Sequence, residues 1–156
     1  MKAMPKIALG AWPWGAGAAG SDQVFGSHLF EDDLRPVFDK ALECGLNLWD
    51  TAAVYGEGTS ERILGNFFKD VSREQIILST KFTPQIASGS PEAMQEMLDG
   101  SKERLHADVM DVYWIHSICH TEQREGGRIV YNLVRSKRPI FQKVRIKNFC
   151  ILGLKY

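Results

Sequence analysis

The sequence has few cysteines and no long hydrophobic run, and both features narrow the class of protein. Its 156 residues include three cysteines, Cys44, Cys119 and Cys150, whose spacing matches neither a metal site nor a redox pair. An odd number of cysteines also argues against a disulfide framework, so the sequence predicts a reduced, cytoplasmic protein. No apolar stretch approaches the roughly 20 residues that a membrane helix requires, and the N-terminus lacks the profile of a signal peptide. We therefore expect no membrane segment and no metal site.

The formal net charge is zero, but the two signs are unevenly distributed along the chain. Residues 1–117 contain 10 Lys and Arg against 17 Asp and Glu, whereas residues 118–156 contain 9 against 2. The first part is therefore acidic by 7 charges and the second is basic by 7. A basic segment that also contains Phe141 and Phe149 superficially suits nucleic acid, but accidental charge explains it better, so we expect no nucleic-acid partner.

Hydrophobic periodicity predicts alternating strands and helices up to about residue 117. Four short apolar runs are typical of buried strands, and three amphipathic segments between them carry apolar residues at helical spacing. The predicted strands are Lys6–Gly10, Leu46–Asp50, Gln75–Thr80 and Val109–Ile115, and the predicted helices begin near Phe30, Thr59 and Ser90. Short connections between these elements favour parallel strands with right-handed crossovers. After Ser117 neither period continues.

Local signals predict where several of these elements begin and end. Gly45 is placed as the residue that follows a helix C-terminus. Thr59 or Ser60 is expected to cap the second helix, and the sequence Ser90-Pro91-Glu92 is expected to begin the third. The segment 16–21 is rich in glycine and is predicted to be a loop.

Four polar residues lie at or just past the ends of successive predicted strands. Asp50, Lys81 and His116 end the second, third and fourth apolar runs, and Tyr55 lies in the turn that follows Asp50. Each has an ordinary explanation as a turn residue, a packed ring, a surface lysine or a hydrogen-bonded buried histidine. The C-terminal ends of parallel strands, however, meet at one edge of the sheet, where active sites are built. The four residues together therefore predict an active site.

The chemistry of these four groups suits the reduction of a carbonyl. Adding a hydride to a carbonyl carbon generates an alkoxide, which needs a proton donor aimed at its oxygen. A phenol has an ordinary pKa of about 10 and donates poorly unless its conjugate base is stabilised. We therefore assign roles to all four groups. Tyr55 is the proton donor, Lys81 stabilises the phenolate, Asp50 anchors Lys81, and His116 orients the substrate oxygen.

Five motifs between residues 5 and 117 form a more specific pattern. They are Leu9-Gly10; Ala41-x3-Gly45-x4-Asp50-Thr51-Ala52-x2-Tyr55-Gly56; Ser60-Glu61-x2-Leu64-Gly65; Ser79-Thr80-Lys81; and Leu105-x2-Asp108-x2-Asp111-x-Tyr113-x2-His116. This pattern closely resembles the aldo-keto reductases. The resemblance implies a (β/α)8 TIM barrel, NADPH as cofactor and a small carbonyl substrate. It also implies an Asp-Tyr-Lys-His tetrad that corresponds to Asp50, Tyr55, Lys81 and His116.

The resemblance also implies which residues approach the cofactor. The segment Gly10-Ala11-Trp12 matches a stretch that lies near the nicotinamide and the substrate pocket, and Asp50 belongs to the same region. Two interpretations of Trp12 and Trp14 stay open, because either side chain can line that pocket or simply cap the core.

The length of the chain departs from the family pattern. A TIM barrel typically takes about 250 residues, and this chain reaches the fourth of eight strands. We therefore expect an α/β fold, the first four parallel strands and three helices of a partial barrel, in a domain of residues 1–117. Residues 118–156 are expected to form an irregular basic tail that is foreign to the family. The resemblance implies weak binding of NADPH, since the family's later strands carry most of the cofactor contacts.

An alternative function follows from the same length. Under this alternative, the chain is a catalytically inactive truncated or frameshifted reductase fragment. Such a fragment is expected to self-associate or aggregate through its exposed sheet edges. Sedimentation of dilute protein as a compact monomer with cooperative melting would contradict this alternative.

Overall fold

The computed structural model of this chain describes residues 4–116. Within this range strands and helices alternate in the order that the periodicity predicts, with one additional helix. The strands are β1 (Leu9–Gly10), β2 (Leu48–Asp50), β3 (Ile77–Phe82) and β4 (Val112–Ile115), and the helices are α1 (Ser21–Phe25), α2 (Glu31–Glu43), α3 (Thr59–Phe68) and α4 (Ala93–Leu105). The predicted basic tail, residues 118–156, lies outside the described residues.

The four strands form one parallel sheet in the order β1-β2-β3-β4. This architecture confirms the expected α/β class, with the first four parallel strands of a partial barrel and helices between them. The register pairs Asp50 with Ser79 and Lys81 with Trp114 on neighbouring strands. Within residues 4–116, β1 and β4 are the edge strands. Self-association through these edges stays a prediction.

Alternation along the strands places different side chains on the two faces of the sheet. Side chains at successive positions of a strand point to opposite faces. Trp49 of β2 and Leu78 of β3 are buried in one core with the apolar sides of α2, α3 and α4. Asp50, Ser79 and Lys81 occupy the alternate positions and therefore lie on the face opposite the helices. The candidate site is built on that face.

One predicted helix end is confirmed and one predicted helix cap is wrong. Gly45 follows α2 with φ of +73°, and its N–H donates to the carbonyl of the last helical turn, as the sequence predicts. The prediction that Thr59 or Ser60 caps α3 is wrong, because the helix follows Gly58 and has no side-chain cap. Ser60 is instead buried, and its hydroxyl donates to the carbonyl oxygen of Ala11 at 2.6 Å.

Several other boundaries differ from the predictions. β2, β3 and β4 begin two or three residues later than predicted, and β3 continues to Phe82. β1 is limited to its last two residues rather than covering Lys6–Gly10. The glycine-rich segment 16–21, predicted as a loop, runs into α1, which is too short to show a helical period. α4 begins at Ala93, later than the Ser90 signal, and has no side-chain cap; the Ser90 hydroxyl donates to the side chain of Glu96.

A fully buried carboxylate joins α3, α4 and β3 beneath the site. Glu61 has no exposed surface, and one of its oxygens accepts the Thr80 hydroxyl at 2.6 Å. The other oxygen accepts the Arg104 guanidinium at 2.6 Å. The two helices are in backbone contact here, since a Cβ added to Gly65 would clash with the Arg104 carbonyl oxygen. This packing fixes β3, and therefore Lys81, relative to both helices.

Candidate active site

The structure brings the four predicted residues together at one end of the sheet. Asp50 is the last residue of β2, Lys81 lies near the end of β3, and His116 follows β4 directly. The Lys81 Nζ atom is 2.7 Å from Asp50 Oδ2 and 3.1 Å from the Tyr55 hydroxyl oxygen. The rings of Tyr55 and His116 are arranged edge to face, with centroids 5.6 Å apart. A carboxylate, an ammonium, a phenol and an imidazole therefore form one cluster.

The Lys81 ammonium is the centre of this cluster. Its side chain is largely buried, and its three N–H bonds match three acceptors: Asp50 Oδ2, the Thr51 carbonyl at 2.8 Å and the Tyr55 hydroxyl. A phenol oxygen that accepts the Lys81 N–H keeps its own proton for another partner. The arrangement therefore leaves Tyr55 able to donate while a cation is held beside its oxygen.

The turn that carries Tyr55 is built on left-handed backbone. Tyr55 begins the short 3-10 helix Tyr55–Gly58, in which Gly56 and Glu57 both have φ near +54°. A Cβ on Gly56 would lie 2.7 Å from the carbonyl oxygen of Ala16, in the loop that follows β1. A side chain at this position would push the two loops apart. Glycine at position 56 therefore lets both loops meet beside the phenol.

His116 is half-buried, and both its Nδ1 atom and its backbone have neighbours on the β3 side. The Thr83 hydroxyl lies 3.3 Å from His116 Nδ1, and the His116 backbone N–H donates to the carbonyl of Phe82. Burial and, secondly, the Lys81 charge lower the pKa of His116 below its ordinary value, against an opposing effect of Asp50. The imidazole is therefore neutral at pH 7. A Thr83 hydroxyl that donates to Nδ1 leaves the ring proton on Nε2.

The pH dependence of stability is expected to report this environment of His116. Between the lowered folded-state pKa and the ordinary value of about 6.5, the unfolded chain binds more protons than the folded chain. The contribution of His116 to stability is thus complete above that ordinary value and is lost as the pH falls through the folded-state pKa. Urea unfolding at about pH 7.5 and 5.5 measures how much the free energy of unfolding falls between the two pH values. This decrease should be larger for the wild type than for His116→Gln. Equal losses in the two proteins would contradict the assignment.

The two tryptophans after β1 have different environments. Trp12 is 42% exposed and stacks on the Tyr55 ring, with centroids 5.6 Å apart. Trp14 is buried and packs against Trp49 and Phe67 in the core. The pocket interpretation therefore fits Trp12, and the core interpretation fits Trp14.

The predicted cofactor residues differ in what they can offer a ligand. Gly10 has open space where a Cβ would stand, and Trp12 has an exposed indole. Ala11 has no exposed surface; its N–H donates to the Asp50 carbonyl and its own carbonyl accepts the Ser60 hydroxyl. Ala11 thus connects the ends of β1 and β2, and Gly10, Trp12 and Asp50 provide the accessible surface.

The sequence indicated no function for two side chains that belong to the site, those of Ser79 and Trp114. Ser79 donates its hydroxyl to Asp50 Oδ1 at 2.6 Å, and the Trp114 indole N–H donates to Ser79 Oγ at 2.9 Å. Ser79 belongs to the motif Ser79-Thr80-Lys81, and its distance of two residues from Lys81 places both side chains on one face of β3. The position of Trp114 depends on the register between β3 and β4, which the sequence does not specify.

Two further features can be stated for residues 4–116. No helix in this range is both long and apolar enough to cross a membrane. No group of three or more His, Cys, Asp or Glu side chains there is arranged to hold a metal ion.

The four-residue cluster on parallel strands can be compared with known proteins. The model of the Aldo/keto reductase family matches residues 6–141. The chain belongs to the aldo/keto reductase family. This confirms the resemblance inferred from the five motifs. The family match continues beyond Ser117 into the segment expected to be foreign, and the boundary of that segment stays a prediction.

The relatives agree with this assignment. An aldo-keto reductase of Gibberella moniliformis is 35% identical over 108 aligned positions, which cover 65% of this chain and 33% of the relative. An NADH-specific methylglyoxal reductase of Escherichia coli is 31% identical over 132 aligned positions, which cover 72% of this chain and 38% of the relative. This chain spans about one third of the length of the curated relatives it matches.

Solved structures show the same fold. The crystal structure of an aldo-keto reductase from Klebsiella pneumoniae in complex with NADPH matches with a TM-score of 0.63 and 26% identity, covering 90% of this chain and 43% of that one. A glycerol dehydrogenase from Gluconobacter oxydans matches with a TM-score of 0.59 and 27% identity, covering 88% and 42%. The partial-barrel prediction is therefore confirmed at the level of the fold.

Proposed function

We propose that this chain provides the proton-transfer site for NADPH-dependent reduction of aldehydes or ketones to alcohols, with Tyr55 as the proton donor. The observation that carries the proposal is the Lys81 ammonium, which is hydrogen-bonded to Asp50 and to the Tyr55 hydroxyl at once. The family assignment supports the reaction class, because relatives of this chain are reductases.

The proton donor works through the charge of Lys81. When the phenol gives its proton to the oxygen of a reduced carbonyl, negative charge develops on the Tyr55 oxygen. The ammonium beside that oxygen stabilises the developing phenolate, and the low exposure of the Lys81 side chain limits screening by water. Asp50 prevents the ammonium from turning away, since it accepts one of its N–H bonds.

His116 orients the substrate oxygen in this proposal. A neutral imidazole can donate one hydrogen bond without placing a second positive charge next to Lys81. The lowered pKa of His116 favours this form, and a Thr83 hydroxyl that donates to Nδ1 would leave Nε2 as the donor. A carbonyl oxygen held between Nε2 of His116 and the Tyr55 hydroxyl would be aligned for protonation.

The residues present fit the nicotinamide end of the cofactor. When bound, NADPH supplies the hydride that the carbonyl carbon receives. Trp12 offers a flat exposed surface next to the Tyr55 ring, and Gly10, which is paired with Asp50, leaves open space at the end of β1. One relative is NADH-specific and one solved structure contains NADPH, so the preference for NADPH is part of the proposal.

Titration of the 156-residue chain with NADPH and with NADH, followed by nucleotide fluorescence, tests this function. We expect saturable binding that is stronger for NADPH, weak overall, and weakened further by Trp12→Ala. Glu43→Gln, an exposed change at the end of α2, is the matched control and should bind as the wild type does. Absence of saturable binding for both nucleotides would contradict the proposal and favour the alternative of an inactive fragment.

A further inference from the structure

A line of hydrogen bonds crosses three neighbouring strands beside the proposed active site. The Trp114 indole N–H on β4 donates to Ser79 Oγ on β3, and the Ser79 hydroxyl donates to Asp50 Oδ1 on β2. An indole N–H can only donate and an ionised carboxylate can only accept. The direction of the line is therefore fixed by chemistry, with the serine hydroxyl accepting from Trp114 and donating to Asp50.

The sheet register creates this line. Asp50 is paired with Ser79, and Trp114 is paired with Lys81, two positions along the same strand from Ser79. All four side chains therefore lie on one face of the sheet. Ser79 is 3% exposed, so water competes little for its hydroxyl.

The line gives the two oxygens of Asp50 different partners. Oδ2 accepts the Lys81 ammonium at 2.7 Å, and Oδ1 accepts the Ser79 hydroxyl at 2.6 Å. A carboxylate held at one oxygen can still rotate about its terminal bond, whereas a carboxylate held at both oxygens has one orientation. That orientation determines where the Lys81 ammonium lies relative to the Tyr55 oxygen.

We propose that Ser79 and Trp114 are positioning residues, which orient Asp50 and through it the Lys81–Tyr55 pair. Neither residue is placed in direct contact with the Tyr55 hydroxyl, and their effect on the reaction passes through Asp50. The proposal rests on the proposed function for its consequence in catalysis. The hydrogen-bond line itself is tested without any turnover.

The structural test follows the Trp114 indole N–H by nuclear magnetic resonance. The chain has four tryptophans, and Trp114→Phe identifies the resonance in question. In Ser79→Ala this N–H loses its acceptor, so it should shift and exchange with solvent at least about 10-fold faster. Ser79→Thr keeps the hydroxyl and should preserve both properties, whereas Asp50→Asn should shift the resonance through Ser79. An indole signal that is unchanged in Ser79→Ala or in Asp50→Asn would overturn the proposal.

The kinetic test separates positioning from a general effect on the sheet. Ser79→Ala and Trp114→Phe should lower kcat by at least about 10-fold with KM changed by less than about 2-fold, because misplacement of the proton donor affects the transition state. Ser79→Thr should restore most of kcat. In an Asp50→Asn background, Ser79→Ala should add less than about 2-fold, since the two residues act in one line. Trp114 lies on β4, which is an edge strand of the sheet within residues 4–116, and Trp114→Phe provides the same test if Ser79→Ala fails to fold.

The outcomes distinguish this proposal from the proposed function. An active wild type with normal kcat in both Ser79→Ala and Trp114→Phe, or fully multiplicative effects with Asp50→Asn, would overturn positioning and leave the reductase function intact. A wild type without reductase activity would overturn the function, and the indole resonance would then decide whether Asp50 and Trp114 are coupled through Ser79.

Discussion

Replacing Tyr55 with phenylalanine is expected to lower turnover in a carbonyl-reduction assay by at least about 100-fold, the effect typical of a lost general acid. The change removes the hydroxyl that lies 3.1 Å from Lys81 Nζ and leaves the ring that packs against Trp12 and His116. The fold and the affinity for NADPH should therefore change little. Steady-state kinetics measured beside a nucleotide titration and a thermal melt will separate these effects.

Lys81→Met is the companion of that experiment. It removes the cation beside the phenol and leaves Asp50 without its ion-pair partner, so turnover should fall to a similar extent. Lys40→Met removes a lysine from an exposed pair on α2 and is the matched control, which should keep full activity. Activity like that of the wild type in Tyr55→Phe would remove Tyr55 from the mechanism.

Replacing Arg104 with methionine is expected to destabilise the fold by about 3–5 kcal/mol, because it leaves a buried carboxylate without its counter-charge. Glu61 has no exposed surface, and Arg104 donates to its second oxygen at 2.6 Å. The remaining hydrogen bond from Thr80 cannot neutralise the charge. Denaturant unfolding of the wild type and of Arg104→Met measures the loss as a shift of the midpoint.

The double variant Glu61→Met with Arg104→Met is the decisive control for this prediction. Replacing both members of a buried ion pair with apolar side chains of similar size is often nearly neutral, so the double variant should recover most of the stability. Lys40→Met, which breaks an exposed pair, should change stability by less than about 1 kcal/mol. A loss of less than about 1 kcal/mol in Arg104→Met would contradict the prediction that Glu61 needs the charge of Arg104. A double variant less stable than Arg104→Met would contradict it as well.

The sequence predicted the order of the strands and three of the site positions for a clear physical reason. Strands covered by helices appear as short apolar runs, and the polar residue that ends each run lies at the same edge of a parallel sheet. Asp50, Lys81 and His116 could therefore be predicted to converge. Tyr55 was predicted from its place in the turn after Asp50, and the structure places its hydroxyl beside Lys81.

The features that the sequence did not reveal depend on three-dimensional pairing. The bond from Trp114 to Ser79 exists because of the register between β3 and β4, and a shift of one residue would point either side chain to the other face. Serine commonly caps helices, but the Ser60 hydroxyl donates instead to the carbonyl oxygen of Ala11, which follows β1. The local sequence alone cannot distinguish these two roles. The carboxylate of Glu61 gives no sign in the sequence that it is buried.

The transfer of a labelled hydrogen tests the central claim most directly. The 156-residue chain is incubated with small aldehydes and ketones and with NADPH that carries deuterium at the transferable position of the nicotinamide. We expect alcohols with one deuterium on the former carbonyl carbon, formed at least about 100-fold more slowly by Tyr55→Phe. The absence of deuterated alcohol with every carbonyl tested, or equal rates for the wild type and Tyr55→Phe, would contradict the assignment of this site as a reductase with Tyr55 as its proton donor.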